Sequence, residues 1–397
     1  MSTLKVDGIR HNSATSDAIT MASDGTCTAK LTDVGGTALS HRNVLRNGAM
    51  TIHQRGGNTT GINNTENCFG ADGWYYNNGG GGTVTLSHET DSPDGFSNSI
   101  KVTVTSAGTS SGYAQFYQKI EGQDLQRFAK GTSGAKKFAV SFYIKSKVTG
   151  NFVLDLYDTD NARSCQQIYT VNQSQTWERK TVIIPADTTG AWDNDNNASL
   201  QIYWKVFAGD QSGTLHTTWQ AHTTNADRGV GQVNAIASNG DYVQITGCQL
   251  EVGDTATSFE HLTFAENKRR CYRYCQRGRH MSSCLVGTPG TYYFTRANIP
   301  LFTPMRATVS GTLKAATWNS NRYFGYKTWS SETNVTAAPA SVTFSSGSIT
   351  GVPDILTVNL HISISSGSSN SPLPANGPGS NNVYPIEFYD VLLEAEL

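Results

Sequence analysis

The sequence predicts an all-β protein: an extended N-terminal arm, an antiparallel β-sandwich, one short amphipathic helix and a smaller C-terminal β-sandwich. Three observations lead there. Charged residues are 15% of the chain, against about 25% in an average protein, and Gly accounts for 39 of 397 positions. Polarity therefore comes from Asn, Ser and Thr, with Gly, Asn, Asp and Ser supplying turn geometry between short strands. Apolar residues recur at every second position through most of the chain, the signature of antiparallel sheets with one dry face. Helical periodicity is confined to a single stretch.

Residues 1–45 are small and polar, with weak alternation at Leu4, Val6 and Ile9. They cannot bury a core alone and read as an arm ordered by neighbours, or as a disordered tail. Residues 46–260 carry the main sandwich. Its inward sets are Val84 and Leu86; Ile100, Val102 and Val104; Phe138, Val140, Phe142 and Ile144; Phe152, Leu154 and Leu156; Leu200, Ile202, Trp204 and Val206. Many such strands with no helix between them predict a sandwich. Residues 261–279 change period. At about 100° per residue, Phe264, Cys271 and Cys275 share one stripe, with Arg269, Arg270, Arg273 and Arg277 opposite, and Gly278 is a natural stop. Strand signals resume over 280–397, broken by the Ser-, Gly- and Pro-rich loop at 365–382.

The formal charge of −1 gives no global attraction to nucleic acid or anionic membranes. No apolar run approaches the ~18 residues of a membrane span, so membrane insertion is not expected. The first residues lack the apolar core of a signal peptide. Seven cysteines, an odd number without dense spacing, point to free thiols and assembly in a reducing compartment such as a cytoplasm.

One segment, "RRCYRYCQRGRHMSSC", sets Cys271, Cys275, His280 and Cys284 at C-x3-C-x4-H-x3-C. A zinc knuckle has C-x2-C-x4-H-x4-C, so both outer spacings differ by one residue. The expectation is no metal here, with Cys271 and Cys275 as small hydrophobes on the helix. The six Lys and Arg between 268 and 279 read as a solvated face or an interface rather than a nucleic-acid site.

The stretch "YVQITGCQLEVGDTATSFEHLTFAENKRRCYRYCQ" (242–276) resembles a segment of bacteriophage fibre and other virion appendage proteins. There a last strand ends in a "QLEVG" turn, followed by an "AT.FE.R" step and a helix with a "C.RYY"-like end. The matching residues are Gln249, Leu250, Glu251, Gly253, Ala256, Thr257, Phe259, Glu260, Cys271, Arg273 and Tyr274, with Leu262 and Cys275 departing from the pattern. "NVLRNGAMTIHQRG" (43–56) and "ADGWYY" (71–76) resemble earlier steps of the same domain. The first residues are similar to N-termini of marine phage, especially cyanophage, structural proteins. The resemblance covers about residues 1–276. It implies a jelly roll like a carbohydrate-binding module, carried on a virion appendage that is usually trimeric. The reading that follows is a homotrimer docked to other virion proteins by residues 1–45 and in contact with host cell-surface polysaccharide. The C-terminal domain has no counterpart in it.

A sugar site needs aromatic faces and planar polar groups. Tyr143, Asp155, Tyr157, Tyr203 and Lys205 lie opposite the apolar stripes, and Trp74, Tyr75 and Tyr76 form a second aromatic cluster. Packing or a subunit interface would use the same residues. Trp177 and Trp192 adjoin loops. "DLYDTDN" (155–161) and "WDNDNN" (192–197) gather calcium-type oxygens without an EF-hand pattern, so calcium is a competitor to simple turns. No G-x-S-x-G, P-loop or H-E-x-x-H is present, and no carboxylate pair stands out, so the chain reads as a non-enzyme. A tail fibre that binds host glycan is the first expectation, and a head fibre, knob or capsid decoration the alternative. A glycan-degrading enzyme comes third.

Overall fold

A computed structural model describes residues 41–277 apart from 57, 64, 69, 81, 109 and 110, with 65–68 by their backbone. It also describes 6–9, 19–21, 23 and 27–29, and, beyond 277, the backbone of the strands together with Thr303 and Arg306.

The protein is all-β, as the alternation predicts. In the N-terminal segment β1 (Gly8–Ile9), β2 (Ile19–Met21) and β3 (Cys27–Ala29) form a small antiparallel sheet. Ile9 and Met21 on it, and Val6 just before it, are exposed. The rest of that segment, including Leu4, lies outside the described residues.

The sandwich contains β4 (Thr59–Ile62), β5 (Thr65–Cys68), β6 (Tyr75–Gly79), β7 (Thr83–Glu89), β8 (Ser99–Ser106), β9 (Tyr113–Glu121) and β10 (Phe138–Ser146). It continues through β11 (Gly150–Asp158), β12 (Arg163–Val171), β13 (Glu178–Ile184), β14 (Ala198–Ala208), β15 (Gln220–Ala221) and β16 (Tyr242–Val252). One sheet has six strands in the order β13-β10-β16-β8-β7-β4. The other has seven, β15-β12-β11-β14-β9-β6-β5. The chain crosses repeatedly between them, in jelly-roll fashion. The inward residues expected on β7, β8, β10, β11 and β14 are all buried. Phe142 meets Trp204 edge-on at 5.8 Å across the interior, and Trp204 meets Trp74 at 5.2 Å. Full burial of each such side chain stabilises by about 1.5–3 kcal/mol.

The β10–β16 register shifts between Ser141 and Tyr143. Gly247 takes up the bulge at φ +61, where an added Cβ would sit 2.7 Å from Phe96 and 2.9 Å from Tyr143. The bulge aims the Cys248 carbonyl at the Asn43 amide, 3.0 Å away. Asn43 Oδ1 accepts from the Leu45 and Leu250 amides, and the Asn43 N–H donates to Glu260. Asn47 Nδ2 donates to the carbonyls of Ile52 and Asp72, and Trp74 Nε1 donates to the carbonyls of Arg46 and Asn47. Thus the sandwich begins a few residues before 46, and the stretches 43–56, 71–76 and 242–276 converge on one joint.

Helix α1 (Gly122–Leu125) follows β9, and α2 (Phe264–Tyr272) follows β16. α2 starts at Thr263, whose hydroxyl accepts from the Glu266 amide, and Glu266 pairs with Arg269 and Arg270. Two expectations for this stretch need correction. The helix ends at Tyr272 rather than near Gly278. Arg273 and Tyr274 reach Glu121, and from Cys275 the backbone pairs with the last strand. Phe264 is not on the buried stripe: it is 63% exposed, while Cys271 and Cys275 are buried.

The C-terminal strands β17 (Cys275–Leu285), β18 (Tyr292–Pro300), β19 (Ser310–Leu313), β20 (Gly325–Thr328), β21 (Ser331–Asn334), β22 (Ser341–Ser346), β23 (Ile355–Ser363) and β24 (Val383–Glu394) form three small antiparallel sheets. The loop at 365–382 lies outside the described residues.

Glu121 is fully buried. Arg273 grips both its oxygens at 2.8 Å, Tyr274 donates to it, and Arg46 lies 3.7 Å over the Tyr274 ring. Burial opposes ionisation of Glu121, but the Arg273 and Tyr274 hydrogen bonds outweigh it and hold the carboxyl below its ordinary range. Its contribution to stability is therefore complete above the unfolded value of ~4.3 and is lost as pH falls through the lower folded value. Glu121→Gln should destabilise by about 3–5 kcal/mol at neutral pH, as for other broken buried pairs. It should also flatten the acid limb of the Tm–pH curve below about pH 5. Scanning calorimetry of both proteins from neutral to acid pH checks this, and an unchanged acid limb would count against it.

Candidate functional site

The outer face of the seven-stranded sheet carries most of the polar and aromatic residues singled out above. Register places them in rows. Tyr75 pairs with Tyr117, Tyr117 with Tyr203, Tyr203 with Asp155, and Asp155 with Gln166. A neighbouring row runs Lys119, Gln201, Tyr157 and Ser164. Another runs Asn77, Gln115 and Lys205.

The tyrosine row stacks. Tyr75 and Tyr117 have centroids 5.0 Å apart and planes at 25°; Tyr117 and Tyr203 are at 4.9 Å and 24°. That spacing is the ~4.8 Å between neighbouring strands. The rings stand like plates in a rack, each covering the next one's face, and none of the three is more than 7% exposed. Their faces are therefore spent on one another. Half-buried Lys119, Gln201 and Tyr157 form the accessible row. Lys119 Nζ lies 5.0 Å from the Tyr75 centroid, and the Arg228 guanidinium lies 4.7 Å from Tyr157 and 4.8 Å from Tyr203.

Asp155 anchors the face. It is fully buried and takes Arg228 at 2.7 Å, Gln166 at 3.0 Å and Lys205 at 3.6 Å. Burial works against its charge, but the two cations and the hydrogen bonds hold its carboxyl below the ordinary range. Lys205 also donates to Gln115 at 2.5 Å; burial pushes its pKa down to about 8, against the pull of Asp155.

Three of the expected residues lie elsewhere. Tyr143 is on β10, in the other sheet, against Phe96. Trp74 and Tyr76 point into the interior, 0% and 1% exposed, so of that cluster only Tyr75 reaches the face. Gln115, Tyr117, Lys119, Gln201 and Arg228 were not anticipated. The period-2 run "YAQFYQKI" could have revealed the first three. Arg228 comes from a short 3-10 turn (Asn225–Gly229) without pattern.

The calcium-type loops are engaged by the chain's own donors. Lys130 Nζ sits 2.6 Å from Asp158, 3.1 Å from Asp187, 3.0 Å from the Thr189 carbonyl and 2.6 Å from the Gly190 carbonyl. Trp192 and Trp219 flank it at 5.4 and 5.3 Å. Two carboxylates and two carbonyls form a cation cage, and a lysine ammonium fills it. Asp160 accepts from the Asp193 amide, and Asp195 from the Asn197 amide.

The zinc-like spacing meets a different obstacle. Cys275 and Cys284 lie on the one strand β17. At ~3.3 Å per residue they are about 30 Å apart, while zinc–sulfur bonds are ~2.3 Å. The side chains of His280 and Cys284 lie outside the described residues. The basic residues nearby have protein acceptors: Arg273 in Glu121, Arg269 and Arg270 in Glu266, and Arg277 in the Gln54 carbonyl. Among the described residues no helix is long and apolar enough to cross a membrane.

Lys130→Met keeps the stem and removes the charge, leaving buried Asp158 without a cation while Asp187 keeps Arg163 at 2.8 Å. The variant should lose about 3–5 kcal/mol in urea denaturation. A loss below about 1 kcal/mol, the value of a surface pair, would contradict the cage.

No protein-family model matches the chain, and no curated protein does. Among solved structures it is similar, at 14% identity and TM-score 0.30, to the enzymatically active domain of tailspike protein 4 of bacteriophage CBA120; the match covers 54% of this chain and 22% of that one. The family 11 carbohydrate-binding module of Clostridium thermocellum, in complex with a β-1,3-1,4-mixed-linked tetrasaccharide, matches at 13% and TM-score 0.25, over 52% and 98%. An exo-β-agarase matches at 12% and TM-score 0.28, over 50% and 26%. This chain thus spans less than a quarter of the tailspike chain. Likenesses this distant say nothing about its substrate or chemistry.

Proposed function

We propose that the chain is a non-catalytic component of a phage virion appendage that contacts host surface glycan through the outer face of the seven-stranded sheet. The observation that carries this is the accessible row Lys119–Gln201–Tyr157, which sets donors, an amide and an aromatic ring over a base stiffened by the tyrosine stack and the Asp155–Arg228 pair. Such groups pair hydroxyls and pack on sugar rings. The resemblance of residues 1–276 to virion appendage proteins supplies the setting. The N-terminal segment, with Val6, Ile9 and Met21 exposed, suits docking on other virion proteins, and a homotrimer would multiply weak sugar contacts.

A non-enzyme suits the same face. A glycan-cleaving acid needs a raised pKa. Asp155, the carboxylate of these rows, is instead held ionised by Arg228 and Lys205.

The competing reading is a capsid decoration with structural contacts alone. Labelled full-length protein and a variant lacking residues 1–40, which spares Asn43, would be offered to host cells and to particles stripped of appendages. Cell binding should survive loss of the arm while particle binding is lost. Tyr157→Ala should weaken cell binding about tenfold, the loss of a ~1.4 kcal/mol aromatic contact. Arm-dependent binding to particles with none to cells would establish the decoration instead.

A further inference from the structure

Of the five tryptophans among the described residues, Trp74, Trp192, Trp204 and Trp219 are buried, and Trp177 stays partly exposed. It stands immediately before β13, outside the six-stranded sheet. Glu178 pairs with Ile144, so the register continued by one residue sets Trp177 beside Lys145. From there a row crosses the sheet: Lys145 pairs with Gln244, Gln244 with Lys101, and Lys101 with Ser87, the two lysines half-buried and Gln244 and Ser87 buried between and beyond them. Lys101 Nζ lies 4.6 Å from the centroid of Tyr242.

Asp91 closes the row from above. Trp177 Nε1 donates to its Oδ1 at 3.2 Å, and Lys145 Nζ lies 2.8 Å from its Oδ2. The carboxylate remains 46% exposed, so acceptor lone pairs face solvent. Its loop is held in place: Ser99 donates to the Asp91 carbonyl and Ser92 to the Phe96 carbonyl, while the Phe96 ring packs on Tyr143, Phe259 and His261. Burial opposes ionisation of Asp91, but the Lys145 and Trp177 hydrogen bonds hold it below the ordinary carboxylate range, so it is an acceptor at neutral pH.

We propose that Trp177, Asp91, Lys145 and Lys101, over buried Gln244, form a second saccharide site, which takes a pyranose ring of a polysaccharide laid across the strands of the six-stranded sheet. The indole supplies the apolar surface that a pyranose C–H face packs on. The Asp91 carboxylate and the lysine ammonium groups supply the acceptors and donors that vicinal hydroxyls require. A clamped loop means little is ordered on binding. This site lies on the opposite sheet from the face proposed above, and it stands or falls separately.

The test is a titration of the full-length protein, isotopically labelled at the tryptophan indoles, with glucose, galactose, mannose, N-acetylglucosamine and glucuronate. Each would be taken to about 100 mM, a hundredfold above the dissociation constant of a ~4 kcal/mol contact. Trp177→Phe assigns the signal. At least one sugar should shift the Trp177 indole saturably and leave Trp74 and Trp204 in place. Lys145→Met, with the remaining spectrum intact, should weaken that response about tenfold. Tyr157→Ala on the other sheet should leave it unchanged. Silence of Trp177 towards all five sugars would overturn the site, as would a response that disappears with Tyr157.

Discussion

Glu121 is a carboxylate with no access to water, and the architecture turns on neutralising it. Arg273, which does so, and Tyr274, which adds a hydrogen bond, lie 152 and 153 residues further along the chain. To bring them there, the last sandwich strand must bulge at Gly247, turn back past Glu260 onto Asn43, and run through a short helix that stops at Tyr272. Arg46 covers Tyr274, and the Arg46 backbone is held in turn by Gln118, three residues before Glu121 on the same strand. The two ends of the sandwich are thereby closed on each other. The stretches 43–56, 71–76 and 242–276 are the parts of this closure. Their residue types answer to hydrogen bonding and burial at the joint, which is why they describe an architecture better than a ligand.

With the ends closed, the two outer faces are left to differ. On the seven-stranded sheet, strand spacing forces the aromatic row into a stack and turns ring faces inward on one another. What that face offers outward is the row beside the stack. On the six-stranded sheet a loop clamped by Phe96 holds a carboxylate over a line of Lys and Gln, next to a tryptophan that the core did not take. Both faces are stiffened by buried or half-buried ion pairs. Lys130 shows the same habit, filling with its own ammonium a cage of oxygens from Asp158, Asp187, Thr189 and Gly190, of which Asp158 alone belongs to a stretch whose sequence suggests calcium.

Local pattern made the strands legible. The inward residues of β7, β8, β10, β11 and β14 follow from period 2, because one dry face is a property of each strand alone. The sheet to which a strand belongs is not local, and so Tyr143 reads as a neighbour of Tyr157 and Tyr203 although it lies across the sandwich. The helix end was illegible for a related reason. Periodicity carries the helix to Gly278, but Glu121 and the strand-pairing partner of Cys275 intervene from far away in sequence. Arg228 and the Lys130 cage are assembled from loops, where no period exists to be read. Trp74 and Tyr75 are adjacent in sequence and alternate between core and face, so an aromatic cluster could not announce a site as a unit.

The account rests on the closure at Glu121, and a double-mutant cycle measures it most directly. Glu121→Gln, Arg273→Met and the double variant would be unfolded in urea alongside the parent protein. A direct buried ion pair predicts that the two losses do not add, the double variant falling short of their sum by a coupling of about 2–3 kcal/mol. Additive losses, with coupling under about 0.5 kcal/mol, would mean that Arg273 and Glu121 act independently and that the joint is not what closes the fold.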